Sequence, residues 1–189
     1  YLEKSEDAEK AYQTILGLKP DDLAATSNLL ALHLMQPEKQ AEAEAEFEAV
    51  VSRHPPHGAG LLRAIRALVH NNFGEATEAL KPVLENDHSD VFDIYQGFFI
   101  LVLRLAASHG YGDKLLAWLD EQGLSDRYWP LRVAFDAYLH GEARLMDVNP
   151  EVRGAAKRIF EWLNAPRRLA PPASVPHNKP KGRRRRAAA

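Results

Sequence analysis

Small, bulky and aliphatic residues recur at one spacing along the first half of the chain. Ala8, Tyr12 and Ile15 are followed by Pro20. Ala43, Phe47 and Val50 are followed by Pro55, and Ala76, Leu80 and Val83 by His88, where a proline would fall. Positions i, i+4 and i+7 share one helix face, so each set predicts an amphipathic helix. The small residue lets a neighbouring helix approach closely, and the larger ones fill the seam. Proline ends such a helix because it has no amide donor and restricts the residue before it. The starting alanines lie 35 and then 33 residues apart.

A second helix precedes each later unit. Asp21 and Asp22 are placed to cap a helix running to about Met35, with Leu29, Leu30, Leu32 and Leu34 along it. Residues 58–71 carry Leu61, Leu62, Ile65, Leu68 and Val69 at helical spacing. Pro37 fits the first position of the following helix. Pro82 lies inside the third repeated helix, where a kink is expected.

Helix pairs recurring at about 34 residues are the mark of the tetratricopeptide repeat. The chain resembles that family over roughly residues 5–90. Ala8, Tyr12, Ile15 and Pro20 fall on the small, aromatic, aliphatic and proline positions of its second helix. Phe73-Gly74-Glu75-Ala76 is similar to its inter-helix turn. Asn28, Leu29 and Leu30 match its first helix in the second unit, whereas its usual aromatic residue and central glycine are missing there. The resemblance implies a right-handed superhelix of antiparallel helix pairs whose first helices line a concave binding groove. It also places Asn28 where some members hold a peptide's terminal carboxylate. Arg63 and Arg66 would supply positive charge beside it, since arginine grips carboxylates in a bidentate manner. The Lys and Asn that complete such a clamp belong to an earlier first helix, which this sequence lacks. Leu34 and Met35 would make the groove partly apolar.

Beyond residue 90 the pattern loosens into two further helix pairs. Ser89 or Asp90 is placed to cap a helix to about Ala107. Its run from Phe98 to Leu105 is apolar all round, as in helices buried between neighbours. Gly110-Tyr111-Gly112 predicts a turn, residues 113–121 a short helix, and Gly123 its end. A helix from Arg127 or Pro130 to Leu139 follows, then a brief turn over residues 143–146. Asn149-Pro150-Glu151 is a strong start signal, combining a cap, a proline at the first position and an acid at the positive helix end. The resulting helix sets Val152, Ala156, Ile159, Phe160 and Leu163 on one face.

Charge divides the chain differently. Residues 165–189 hold eight Lys or Arg and no acid, while residues 1–164 hold 16 basic and 26 acidic side chains, a net −10. The terminal stretch also carries five prolines and almost no large apolar residues. A segment of that composition cannot offset its ordering entropy by burial and is expected to be disordered. Residues 1–164 therefore form the expected helical domain and 165–189 a basic tail. In the tail, Lys179, Lys181, Arg183, Arg184, Arg185 and Arg186 are placed to neutralise phosphates. No aromatic residue interleaves them for base stacking, so any nucleic-acid binding there is expected to be non-specific.

Cysteine is absent, which removes disulfides, thiolate metal sites and cysteine nucleophiles, and is compatible with the cytoplasm. No apolar run approaches the roughly 20 residues of a membrane span. No phosphate loop, metalloprotease motif or nucleophile elbow is present. His54-Pro55-Pro56-His57 is the closest histidine pair and reads as an inter-helix loop, short of the ligands a closed zinc site needs. Asp113, Asp120 and Glu121 read as a solvated face, as do the alternating Glu42, Glu44, Glu46 and Glu48. Trp118, Trp129 and Trp162, set among aliphatic residues, read as packing.

These patterns predict an all-α helical-repeat chain that is not an enzyme and needs no cofactor or metal. It is expected to be a piece of a longer protein. The expected role is a protein-interaction scaffold for a partner peptide, or for another domain of the parent. The alternatives are polyanion binding through the tail and a regulatory arm of a larger enzyme.

Overall fold

A computed structural model describes residues 2–85, 91–123 and 128–165. The expected tail, with Lys179, Lys181 and Arg183 to Arg186, lies outside the described residues, as do the expected caps Ser89 and Asp90. The described residues form helices and no strand. The α-helices are α1 (Leu2–Leu18), α2 (Leu23–Leu34), α3 (Gln40–Val51), α4 (Pro56–Val69), α5 (Phe73–Glu85), α6 (Val91–Ser108), α7 (Gly112–Glu121), α8 (Trp129–His140) and α9 (Pro150–Asn164). A 3₁₀ helix, Glu142–Asp147, connects α8 to α9.

Local chemistry explains most of the boundaries. Asp22 caps α2, its carboxylate accepting from Ala25 N at 2.9 Å. Pro56 occupies the first turn of α4, where a missing amide donor costs nothing. Asn71 turns the chain at φ 60°. Asn72 then receives the Glu75 amide at 3.2 Å and returns a side-chain bond to the Glu75 carboxylate at 3.0 Å. Asn149 accepts from Glu151 N at the start of α9.

Three boundaries differ from the expectation, the first at Pro56, where α4 begins inside the 54–57 stretch read as a loop. Pro37 sits in a turn and α3 begins only at Gln40. Phe73 to Ala76 form the first turn of α5 rather than a connector, because the positive-φ bend falls earlier, at Asn71. α5 continues past Pro82 to Glu85.

Successive helices pack on each other from α1 to α5 and from α6 to α9, and α2, α4 and α6 also pack on one another in a row. The repeated positions face inward as expected: Ala43, Phe47, Val50, Ala76, Leu80 and Val83 are all buried. α6 is buried along Phe98, Phe99, Leu101, Val102, Leu103, Leu105 and Ala106, consistent with its all-round apolar sequence. α9 packs on both α8 and α6. There Arg104 of α6 donates from Nε to Leu163 O at 2.9 Å and from a guanidinium nitrogen to Trp162 O at 2.6 Å. It also reaches Ala165 O. A cation at the negative end of α9 complements the helix dipole and satisfies its last carbonyls.

Candidate functional site

Three helices of the row end at one cleft of about 320 Å³. Leu34 and Met35 come from the end of α2, Val69 from the end of α4, and Ser108 and His109 from the end of α6. Leu105 of α6 supplies further apolar wall, and Pro37 and Gln40 border it from the turn into α3. Leu34 and Leu105 are buried, whereas Met35 and Val69 are half-buried and Ser108 is exposed. The volume falls at the low end of the range for small-ligand sites. Ser108 Oγ donates to Leu105 O at 2.9 Å. Its single hydroxyl proton is thereby used, leaving lone pairs as acceptors toward the cleft mouth.

The five groove residues expected from sequence do not form one site. Leu34 and Met35 line the cleft. Asn28 donates to Ala24 O at 2.8 Å within its own helix. Arg66 pairs with Glu44 at 2.8 Å and lies 4.6 Å above the Phe47 ring. Arg63 approaches Glu48 at 3.5 Å. The two arginines thus tie α4 to α3, joined by His70, which meets Glu44 at 2.7 Å. Glu44 and Glu48 are accordingly half of an inter-helix ion-pair cluster, beyond the solvated role read from their alternation.

His54 is likewise more than a loop residue. It is half-buried, and its Nε2 meets the hydroxyl of fully buried Ser27. Ser27 Oγ already donates to Leu23 O at 2.6 Å, so Nε2 carries the proton and donates to Oγ. Its Nδ1 has no hydrogen-bond partner among the described residues. Burial, with Arg53 adding repulsion, holds the His54 pKa below its ordinary value. Burial also pushes the phenol of Tyr12 up to about 12.

A second cluster joins α7 to α8. Arg132 makes a bidentate pair with Asp120 at 2.7 and 2.9 Å. His140 bridges Asp136 at 2.7 Å and Asp113 at 2.9 Å. The hydrogen bond to Asp136, seconded by Asp113, holds the His140 pKa above its ordinary value. The Arg132 bond holds the Asp120 carboxyl below the usual carboxylate range. Among the described residues no group of three or more His, Asp or Glu is placed to hold a metal ion. Trp118 packs against the core, while Trp129 and Trp162 each remain 40% exposed.

The two histidines predict opposite pH signatures. The folded-state pKa of His140 is raised, so its contribution is complete below the unfolded value near 6.5 and fades as pH rises through the folded value. That of His54 is lowered, so its contribution is complete above that value and fades as pH falls. Thermal midpoints of His140→Gln should therefore depart from wild type more at pH 5.5 than at pH 8. Those of His54→Gln should depart more at pH 8 than at pH 5.5. A His140 difference that grows with pH would reverse this assignment.

No protein-family profile, curated protein or solved structure matches the chain. None of the described helices is long and apolar enough to cross a membrane.

Proposed function

We propose that the chain is a protein-interaction scaffold of tetratricopeptide type, taking a segment of a partner protein, or of another domain of its parent, along the row formed by α2, α4 and α6. The cleft at the ends of these helices carries this reading. It offers apolar walls from three helices and polar groups at its mouth, the composition of a site that anchors a few side chains of a partner. The local bond of Asn28 and the paired arginines argue against a carboxylate clamp and move the expected contact from those residues to Leu34 and Met35.

Partner capture with the full chain tests this. Ser108→Trp fills the cleft from an exposed position and should weaken retention about tenfold, ~1.4 kcal/mol, with helical content unchanged. Replacing Lys179, Lys181 and Arg183 to Arg186 by alanine should leave retention intact after nuclease treatment. Retention that needs the tail and a nucleic acid, and ignores Ser108→Trp, would reject the scaffold reading in favour of polyanion binding.

A further inference from the structure

The chemistry of the cleft narrows what it accepts. The last residues or caps of α2, α4 and α6 line it, so the negative ends of three helices border one volume. The turns after α4 and α6 bond the carbonyls of Arg66, Ala67, Leu68, Leu105, Ala106 and Ala107, while those of Leu34, Val69 and Ser108 accept none of these bonds and carry the partial negative charge of a helix end. Only α3, through Gln40, presents a positive end. Lys39, the residue before Gln40, has its ammonium on both carboxylate oxygens of Glu9. Ser108 offers an acceptor, its proton already given to Leu105 O. Leu34, Met35, Val69 and Leu105 make an apolar wall suited to a methylene stem. Residues 1–164 bear a net −10, which favours approach of a cation.

We infer that the cleft receives an arginine or lysine side chain from the partner segment. The aliphatic stem lies along the apolar wall and the charged head meets the three helix ends and Ser108. A long basic side chain suits such a mixed surface because its stem buries while its head keeps polar partners. An apolar anchor of equal length would leave those acceptors facing it. This inference rests on the scaffold reading, since it names the chemistry of the same contact.

The test titrates the ¹⁵N-labelled full chain with N-acetyl-arginine methylamide and, in parallel, with N-acetyl-norleucine methylamide. The arginine compound should shift the amides of Met35, Val69, Ser108 and His109 and bind about fivefold tighter than the norleucine compound, an advantage that shrinks as salt is raised. Ser108→Lys places a competing cation at the exposed end of α6, where it also suits the helix dipole. It should abolish the arginine preference while leaving the norleucine response. Equal binding of the two compounds would overturn the inference and leave the scaffold reading standing. Absence of shifts at the cleft with either compound would remove both. Stronger arginine binding after Arg167→Ala with Arg168→Ala would also overturn it, assigning the cleft to the chain's own basic segment.

Discussion

Phe47→Ala is expected to destabilise the chain by about 3–5 kcal/mol, the usual range for truncating a buried phenylalanine. Phe47 is fully buried in α3, and its ring lies 4.6 Å beneath the guanidinium carbon of Arg66. The substitution removes apolar area that α3 buries among its neighbours α2 and α4 and leaves a cavity the surrounding helices fill only in part. It also takes the ring from beneath Arg66, whose pair with Glu44 then stands in a more open setting. Surface ion pairs contribute about 1 kcal/mol at most, so the ring and not the ion-pair cluster dominates this contact. For a chain of this length the loss corresponds to a fall in melting temperature of about 10 °C. Arg66→Met, which keeps the ring covered, should cost far less. A Phe47→Ala midpoint within about 2 °C of wild type would show that the packing of α3 does not carry the fold.

Gly60→Ala should destabilise by up to about 2 kcal/mol, because overpacking costs about 1–3 kcal/mol although alanine is the better helix former. A Cβ built at Gly60 lies 2.5 Å from Val83 Cγ2 and 2.7 Å from the carbonyl oxygen of Ala79. The first contact is a side chain held in the core. The second is backbone of α5, so relief requires α4 and α5 to separate. The propensity gain of about 1 kcal/mol acts in the opposite direction and is outweighed. Gly154 of α9 is the matched control, because a Cβ there meets nothing within 4 Å. Gly154→Ala should therefore stabilise, by up to about 1 kcal/mol. Chemical denaturation of both variants reads the two signs. A stabilised Gly60→Ala would mean that α4 and α5 do not approach as closely as the glycine allows.

The sequence by itself determined the helices and much of what they bury. Asp22, Asn149 and the repeated Ala, aromatic and aliphatic sets act within one or two turns, so their effects are legible from spacing alone. The boundaries that escaped, at Pro37, Pro56 and Phe73, depend on where a turn closes. That was decided for α5 by the positive φ of Asn71 and not by hydrophobic period. Two of the eight residues that line the cleft were legible, since Leu34 and Met35 stand at the predicted end of α2. Val69 and Leu105 were legible as helix residues, whereas Ser108 and His109 fall past the expected helix end at Ala107, and nothing in the spacing places any of the four beside α2.

Only the tertiary structure decided the long-range pairings. Ser27 and His54 are 27 positions apart, and Arg104 and Leu163 are 59 apart. Glu44 and His70 are 26 apart. Each pairing requires two elements distant in the chain to meet at a particular rotation and axial offset. Amphipathic periodicity specifies which face a helix buries, but not which polar group on a neighbour lies opposite it. The same limit made Arg63 and Arg66 look available for a ligand. Their charge is visible in the sequence, whereas the carboxylates that occupy them belong to a different helix and become neighbours only when α3 packs against α4.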